Sequence, residues 1–265
     1  MIAEITVMLK MRSNARQMGG ENILKTFLHG ENTMKRIKVG SVAVRVIALG
    51  LLFGAARQGI AQDAKASYTS MAPIDQYLIE NRDSEIDLAR SAAPASISRD
   101  AEVMVLGRHG YETAVQGKNG FVCLVERSWS SPIDDPDFWN PKNRAPICHN
   151  RAAARSYLPR VLKKTDLVLS GRTKAQMMEA IVAGIRNKEL PAMESGAMCY
   201  MLSKQIVAPN GRWHPHLMFF VSQSDPAAWG ANQEGSPIMA FNDSWEHMIV
   251  FLVPVRKWSD GTSDR

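Results

Sequence analysis

Between residues 34 and 61 the chain changes character in three steps. Lys35, Arg36, Lys38 and Arg45 are basic, residues 46–56 are mostly apolar, and Gly59-Ile60-Ala61 places small side chains two apart. A basic start, an apolar stretch of about 11 residues and a small-residue exit are, in that order, what a secretory signal peptide requires. The expectation is cleavage after Ala61, with Gln62 opening the working protein. A retained membrane anchor is the competing reading. It needs roughly 18 or more uninterrupted apolar residues, and Arg45 interrupts the run. Residues 1–33 show no sustained apolar period and read as an upstream extension from a mis-set start, with translation beginning at Met34. Fold reasoning therefore begins at residue 62.

The whole chain has 32 Lys+Arg against 26 Asp+Glu, a net charge of +6 that would ordinarily raise nucleic acid as a partner. Residues 1–61 carry that entire excess, which leaves 23 basic and 23 acidic residues beyond them. Only Lys163, Lys164, Arg172 and Lys174 approach a basic cluster, and four charges along a helix read as a solvated face. No nucleic-acid partner is expected. No second apolar run reaches spanning length, so no stable membrane span is expected after cleavage.

Export to the periplasm or beyond makes the three cysteines, Cys123, Cys148 and Cys199, a disulfide question. One disulfide and one free thiol is the simplest arithmetic, with Cys123 and Cys148 the preferred pair; three buried reduced thiols are the alternative.

The remaining 204 residues are enough to bury one full core. Residues 62–83 read as a lead-in and a first helix, and residues 84–265 as a single globular domain. Ile74, Tyr77, Leu78 and Ile79 start a helical stripe, and a second helix fits residues 84–89 with Ser84 as cap. Residues 111–115 and 121–127 flank Gly117-Lys118-Asn119-Gly120. Asn-Gly tolerates the positive backbone angles of a tight hairpin turn, so these segments are expected to pair. Phe121, Cys123 and Val125 should face one side and Val122 and Leu124 the other, as in an interior strand covered on both faces.

Residues 128–149 carry Pro132, Pro136, Pro141 and Pro146 and read as one long loop pinned by Trp129 and Trp139. A helix from Asn150 is broken at Pro159. A clearer one follows, with Thr173 and Gln176 as a capping box and Met178, Ile181, Val182 and Ile185 as its stripe. Residues 197–203, 216–221 and 247–255 are apolar runs of strand length, the last expected to be central. The order of strands, helices and strands gives an α+β class, with a largely antiparallel sheet of about five to six strands and two to four helices.

His214 and His216 are two apart in an extended segment and so project to one side. With His149, or else Cys148 or His109, they could supply the three ligands of a catalytic zinc. Asp134, Asp135 and Asp137 read as a solvated acidic turn. Cys148 and His149, as sequence neighbours, point apart. The chain holds no Gly-x-Ser-x-Gly elbow, phosphate loop or dinucleotide fingerprint.

Asn119-Gly120-Phe121-Val122-Cys123-Leu124-Val125-Glu126-Arg127, Tyr200-Met201-Leu202-Ser203 and Pro215-His216-Leu217-Met218-Phe219-Phe220 together resemble exported bacterial proteins of no assigned function. The resemblance implies export and carries over no catalytic residue.

Two functions remain open. One is non-enzymatic binding of a small molecule or envelope component, in an apolar pocket lined by Tyr200, Phe220 and the long loop, without convergent titratable groups. The other is a zinc-dependent hydrolase built on His149, His214 and His216.

Overall fold

The computed structural model describes residues 68–207, 213–222 and 224–264. The expected extension at 1–33, the expected signal peptide at 34–61 and its expected cleavage point lie outside them.

One sheet of eight strands organises the chain: β1 Glu102–Gly107, β2 Gly110–Val115, β3 Val122–Glu126, β4 Ala145–His149, β5 Met198–Met201, β6 His216–Ser222, β7 Met239–Asp243 and β8 Met248–Pro254. Their order across the sheet is β2-β1-β3-β4-β5-β6-β8-β7, and every neighbouring pair is antiparallel except β1 with β3. Among the described residues, five helices accompany it: α1 Arg82–Arg90, α2 Ala95–Ser98, α3 Arg151–Ser156, α4 Leu158–Leu169 and α5 Lys174–Arg186. The α+β class and the mostly antiparallel sheet follow the sequence reading. The sheet is larger than five to six strands, and the helices number five rather than two to four.

The Asn-Gly hairpin does not form as expected. The β2 strand pairs with β1 through the tight turn at Arg108-His109, and β1 lies between β2 and β3. The Asn119-Gly120 turn is real, with Asn119 Oδ1 accepting the Phe121 N–H at 3.0 Å, but it carries the chain across the end of β1 instead of closing a hairpin. Gly117 is needed there, since a Cβ would sit 2.2 Å from the Glu102 backbone nitrogen. Gly110 ends the true turn at φ 126°, where only glycine is unstrained.

Interior strand β3 is covered on both faces as its alternation required. Cys123 and Val125 pack with Val103, Ala89, Ala92 and Ala93 under α1, while Leu124 packs with Tyr157, Leu158 and Val161 of the α3–α4 layer. Cys123 and Cys148 stand opposite each other on β3 and β4 and form the disulfide; Cys199 is free and buried. Burial pushes the Cys199 thiol's pKa well up, with the nearby Glu126 adding to the effect.

The β4 strand was hidden by Pro146. Proline removes a ladder donor and is ordinarily kept out of interior strands. Here β5 reaches only Cys148 and His149, so β4 has a partner on one side alone at Pro146. The long loop is thus residues 127–144, and both Trp129 and Trp139 pin it, packed with Tyr77, Phe138 and Met177.

Helix boundaries moved for identifiable reasons. The first helical stripe is only a 3-10 turn, Ile74–Gln76. Asn81, not Ser84, caps α1, its Oδ1 accepting the Ser84 N–H at 2.8 Å. Pro159 falls in the first turn of α4, where a missing N–H costs nothing, so it starts a helix rather than breaking one. The capping box at Thr173 and Gln176 is present, and α5 buries Met177, Ile181 and Gly184.

The outermost strand, β7, is edge-protected. Asn232 donates from Nδ2 to the Ala240 carbonyl at 2.9 Å and accepts the Ala240 N–H at 3.0 Å, taking the place of a further strand.

Candidate ligand groove

Helices α3 and α4 cover the sheet near β3 to β5, and the same face of β6, β8 and β7 is left as the floor of a groove of about 580 Å³. Strand register builds that floor. Phe220, Val250 and Phe241 form one cross-strand row, and Met218 stands opposite Leu252 in the next. The walls come from three places: the loop leaving β3, with Glu126, Ser128 and Ser130; Tyr157 and Lys164 of the helical layer; and Ile206, Val207 and Trp213 of the segment between β5 and β6.

Of the residues expected to line a pocket, Phe220 and part of the long loop line this groove. Tyr200 is not part of it; it projects to the opposite face, against Phe121. The expectation of no convergent titratable groups also fails. The turn between β7 and β8 folds back so that Glu246 pairs with Lys164 and lies 3.8 Å from Arg160 Nη1. Asp243 accepts the N–H groups of Trp245 and Glu246 at 3.1 and 2.9 Å, which shapes that turn. Burial, with Glu246 second, raises the Asp243 pKa above the usual carboxylate value. Burial also raises the Tyr157 hydroxyl's pKa well above its ordinary value, and the charges adding to it are all negative: Glu126, Glu246 and Asp243.

Lys164 is a correction to the sequence reading. Lys163 is exposed, but Lys164 is only 2 % exposed, because it shares the inward stripe of α4 with Val161 and Val168. A lysine on an apolar stripe was the signal available in the sequence. Glu126 carried a similar one, two residues from Leu124 on a strand face that is otherwise apolar.

Six buried polar atoms without a hydrogen-bond partner belong to residues of the groove wall: Glu126 Oε1, Ser128 Oγ, Ser130 Oγ, Asn143 Oδ1, Trp213 Nε1 and His216 Nε2. Folded proteins pair the large majority of such atoms, and each one left bare costs about 1–3 kcal/mol. A second hollow of about 460 Å³, beside Asp225, Asn242 and His247, has none of these atoms among its lining residues.

The three candidate zinc ligands have separate surroundings. His149 is fully buried, with Nε2 3.5 Å from Glu126 Oε1 and its ring near Tyr157 and Phe220. His214 is exposed, with Nδ1 2.6 Å from Asp264 Oδ2. His216 donates from Nδ1 to the His214 carbonyl at 2.8 Å, and burial holds its pKa below the ordinary imidazole value of 6.5. It is thus neutral near pH 7, with Nε2 an acceptor. Among the described residues no three His, Cys, Asp or Glu side chains gather as a metal-ligand set. His109 lies exposed at the β1–β2 turn, and Cys148 is in the disulfide, facing away from its neighbour His149. Asp135 Oδ1 accepts the Asp137 N–H at 2.7 Å, and Asp134 is exposed, so the aspartates form a local turn.

No family model, curated protein or solved structure matches the chain. Among the described residues, no helix is long and apolar enough to cross a membrane. The functional reading rests on the groove.

Proposed function

We propose that this chain is an exported, non-catalytic binding protein that holds a small amphipathic molecule in the groove over β6, β8 and β7. One observation carries the reading: a concave groove of about 580 Å³ whose floor is the cross-strand row of Phe220, Val250 and Phe241 beside Met218 and Leu252. An apolar floor with a few placed polar groups is the usual form of a small-molecule site. A ligand whose apolar part lies on Phe220, Val250 and Leu252 takes those side chains out of water, while its polar part stays toward the groove's mouth. A zinc centre at His149, His214 and His216 has less support, since each imidazole has a different neighbour.

The test is a fluorescence titration with N-phenyl-1-naphthylamine, an apolar reporter. The wild-type protein should bind it, and Val250→Trp, which puts an indole on the floor, should weaken binding about tenfold or more, or about 1.4 kcal/mol. Equal binding by a folded Val250→Trp variant would place the reporter elsewhere and count against the groove.

A further inference from the structure

Independently of what lies on the floor, we infer that the β5–β6 side of the groove is a site for a soft monovalent metal ion, Cu(I), held by His216 Nε2 with the thioether sulfurs of Met201 and Met218. Register brings the three residues together. Met201 of β5 stands directly opposite His216 of β6, and Met218 lies two residues further along β6, on the same face and opposite Cys199. Directly opposite positions have Cβ atoms about 5 Å apart and diagonal ones about 7 Å, within reach of long unbranched side chains. All three residues line the groove.

The imidazole is prepared as a ligand. Burial keeps it neutral, and its Nδ1–H donates to the His214 carbonyl at 2.8 Å, which fixes the tautomer and leaves the Nε2 lone pair free. His216 is 4 % exposed, and that nitrogen has no hydrogen-bond partner. Trp213 stands beside it, ring centroids 4.8 Å apart, yet the indole N–H makes no bond to it. A lone pair shut away from water next to two methionines suits a bare ion rather than a hydrated one. Thioethers are soft, uncharged ligands that favour Cu(I), whereas Zn(II) takes thiolate, imidazole and carboxylate. The set is uncharged throughout, since the Cys199 thiol opposite Met218 is buried and stays protonated. Uncharged ligands in a poorly hydrated place hold one positive charge at far less cost than two. The Trp213 indole adds attraction for a cation within about 6 Å of its face.

Under argon and with ascorbate, the purified protein should withdraw Cu(I) from the coloured chelator bicinchoninate and should bind Zn(II) at least about a hundredfold more weakly. Met201→Leu combined with Met218→Leu conserves side-chain volume and should weaken Cu(I) binding about a hundredfold or more, with an unchanged circular dichroism spectrum. Cys199→Ala should bind Cu(I) as the wild type does. A wild-type protein that leaves Cu(I) with the chelator, or that binds Zn(II) more tightly, overturns the site. So does a folded methionine variant that keeps the full affinity, or a Cys199→Ala variant that loses it. Should the methionine variant not fold, X-ray absorption of the copper-loaded wild type decides: sulfur beside nitrogen around the copper supports the assignment, and nitrogen and oxygen alone overturn it.

Discussion

Replacing Trp129 with alanine is expected to lower folding stability by about 3–5 kcal/mol and the melting temperature by roughly 10 °C. The indole is fully buried among Tyr77, Phe138, Trp139 and Met177, 4.8 Å centroid to centroid from Tyr77. It joins the loop after β3 to helix α4. The substitution also removes the hydrogen bond from Nε1 to Thr165 Oγ1 at 3.0 Å. Trp245, by contrast, is 44 % exposed at the β7–β8 turn, and its replacement by alanine should change stability by about 0.5 kcal/mol or less. Denaturant melts of the two variants read the difference directly. Because Ser128 and Ser130 flank Trp129 on the groove wall, the Trp129 variant should lose ligand affinity along with stability.

The second large effect is expected at the disulfide. Cys123 and Cys148 are 25 residues apart in sequence and both fully buried. Closing a loop of that length restricts the unfolded chain by about 3 kcal/mol. A Cys123→Ala, Cys148→Ala double variant should lose about that much. It should also lose the sensitivity to reductant that the wild-type protein shows in denaturant melts. Identical melts for the wild type with and without dithiothreitol would contradict a stabilising bond. Cys199 gives no competing signal, because its buried thiol is held well above its ordinary pKa and so stays protonated and unreactive in the folded state.

Features that depend on local chemistry were legible in the sequence. The alternation around Cys123 gave the two-faced strand, Thr173 and Gln176 gave the start of α5, and three apolar runs gave β5, β6 and β8. What escaped was decided by partners distant in sequence. Pro146 argues against a strand until one sees that β5 stops short of it. The Asn-Gly turn argues for a hairpin until β1, 12 to 17 residues upstream of Asn119, is found between the two strands. The β7 strand has mostly half-buried and exposed positions, and its apolar run is only residues 238–241 before Asn242 ends it; the paired strand β8 and the amide of Asn232 hold it. The groove was legible only in part, because its floor is a row of three strands met in register and its wall draws Glu126, Lys164 and Asp243 from three different elements. The histidine pair drew attention instead, since two-residue spacing is visible in a sequence and cross-strand rows are not.

A crystal structure of the protein with N-phenyl-1-naphthylamine tests the central claim most directly. The account predicts density for the aromatic rings along Phe220, Val250 and Leu252. An empty groove at a saturating ligand concentration, or the ligand bound on another face of the sheet, would contradict it.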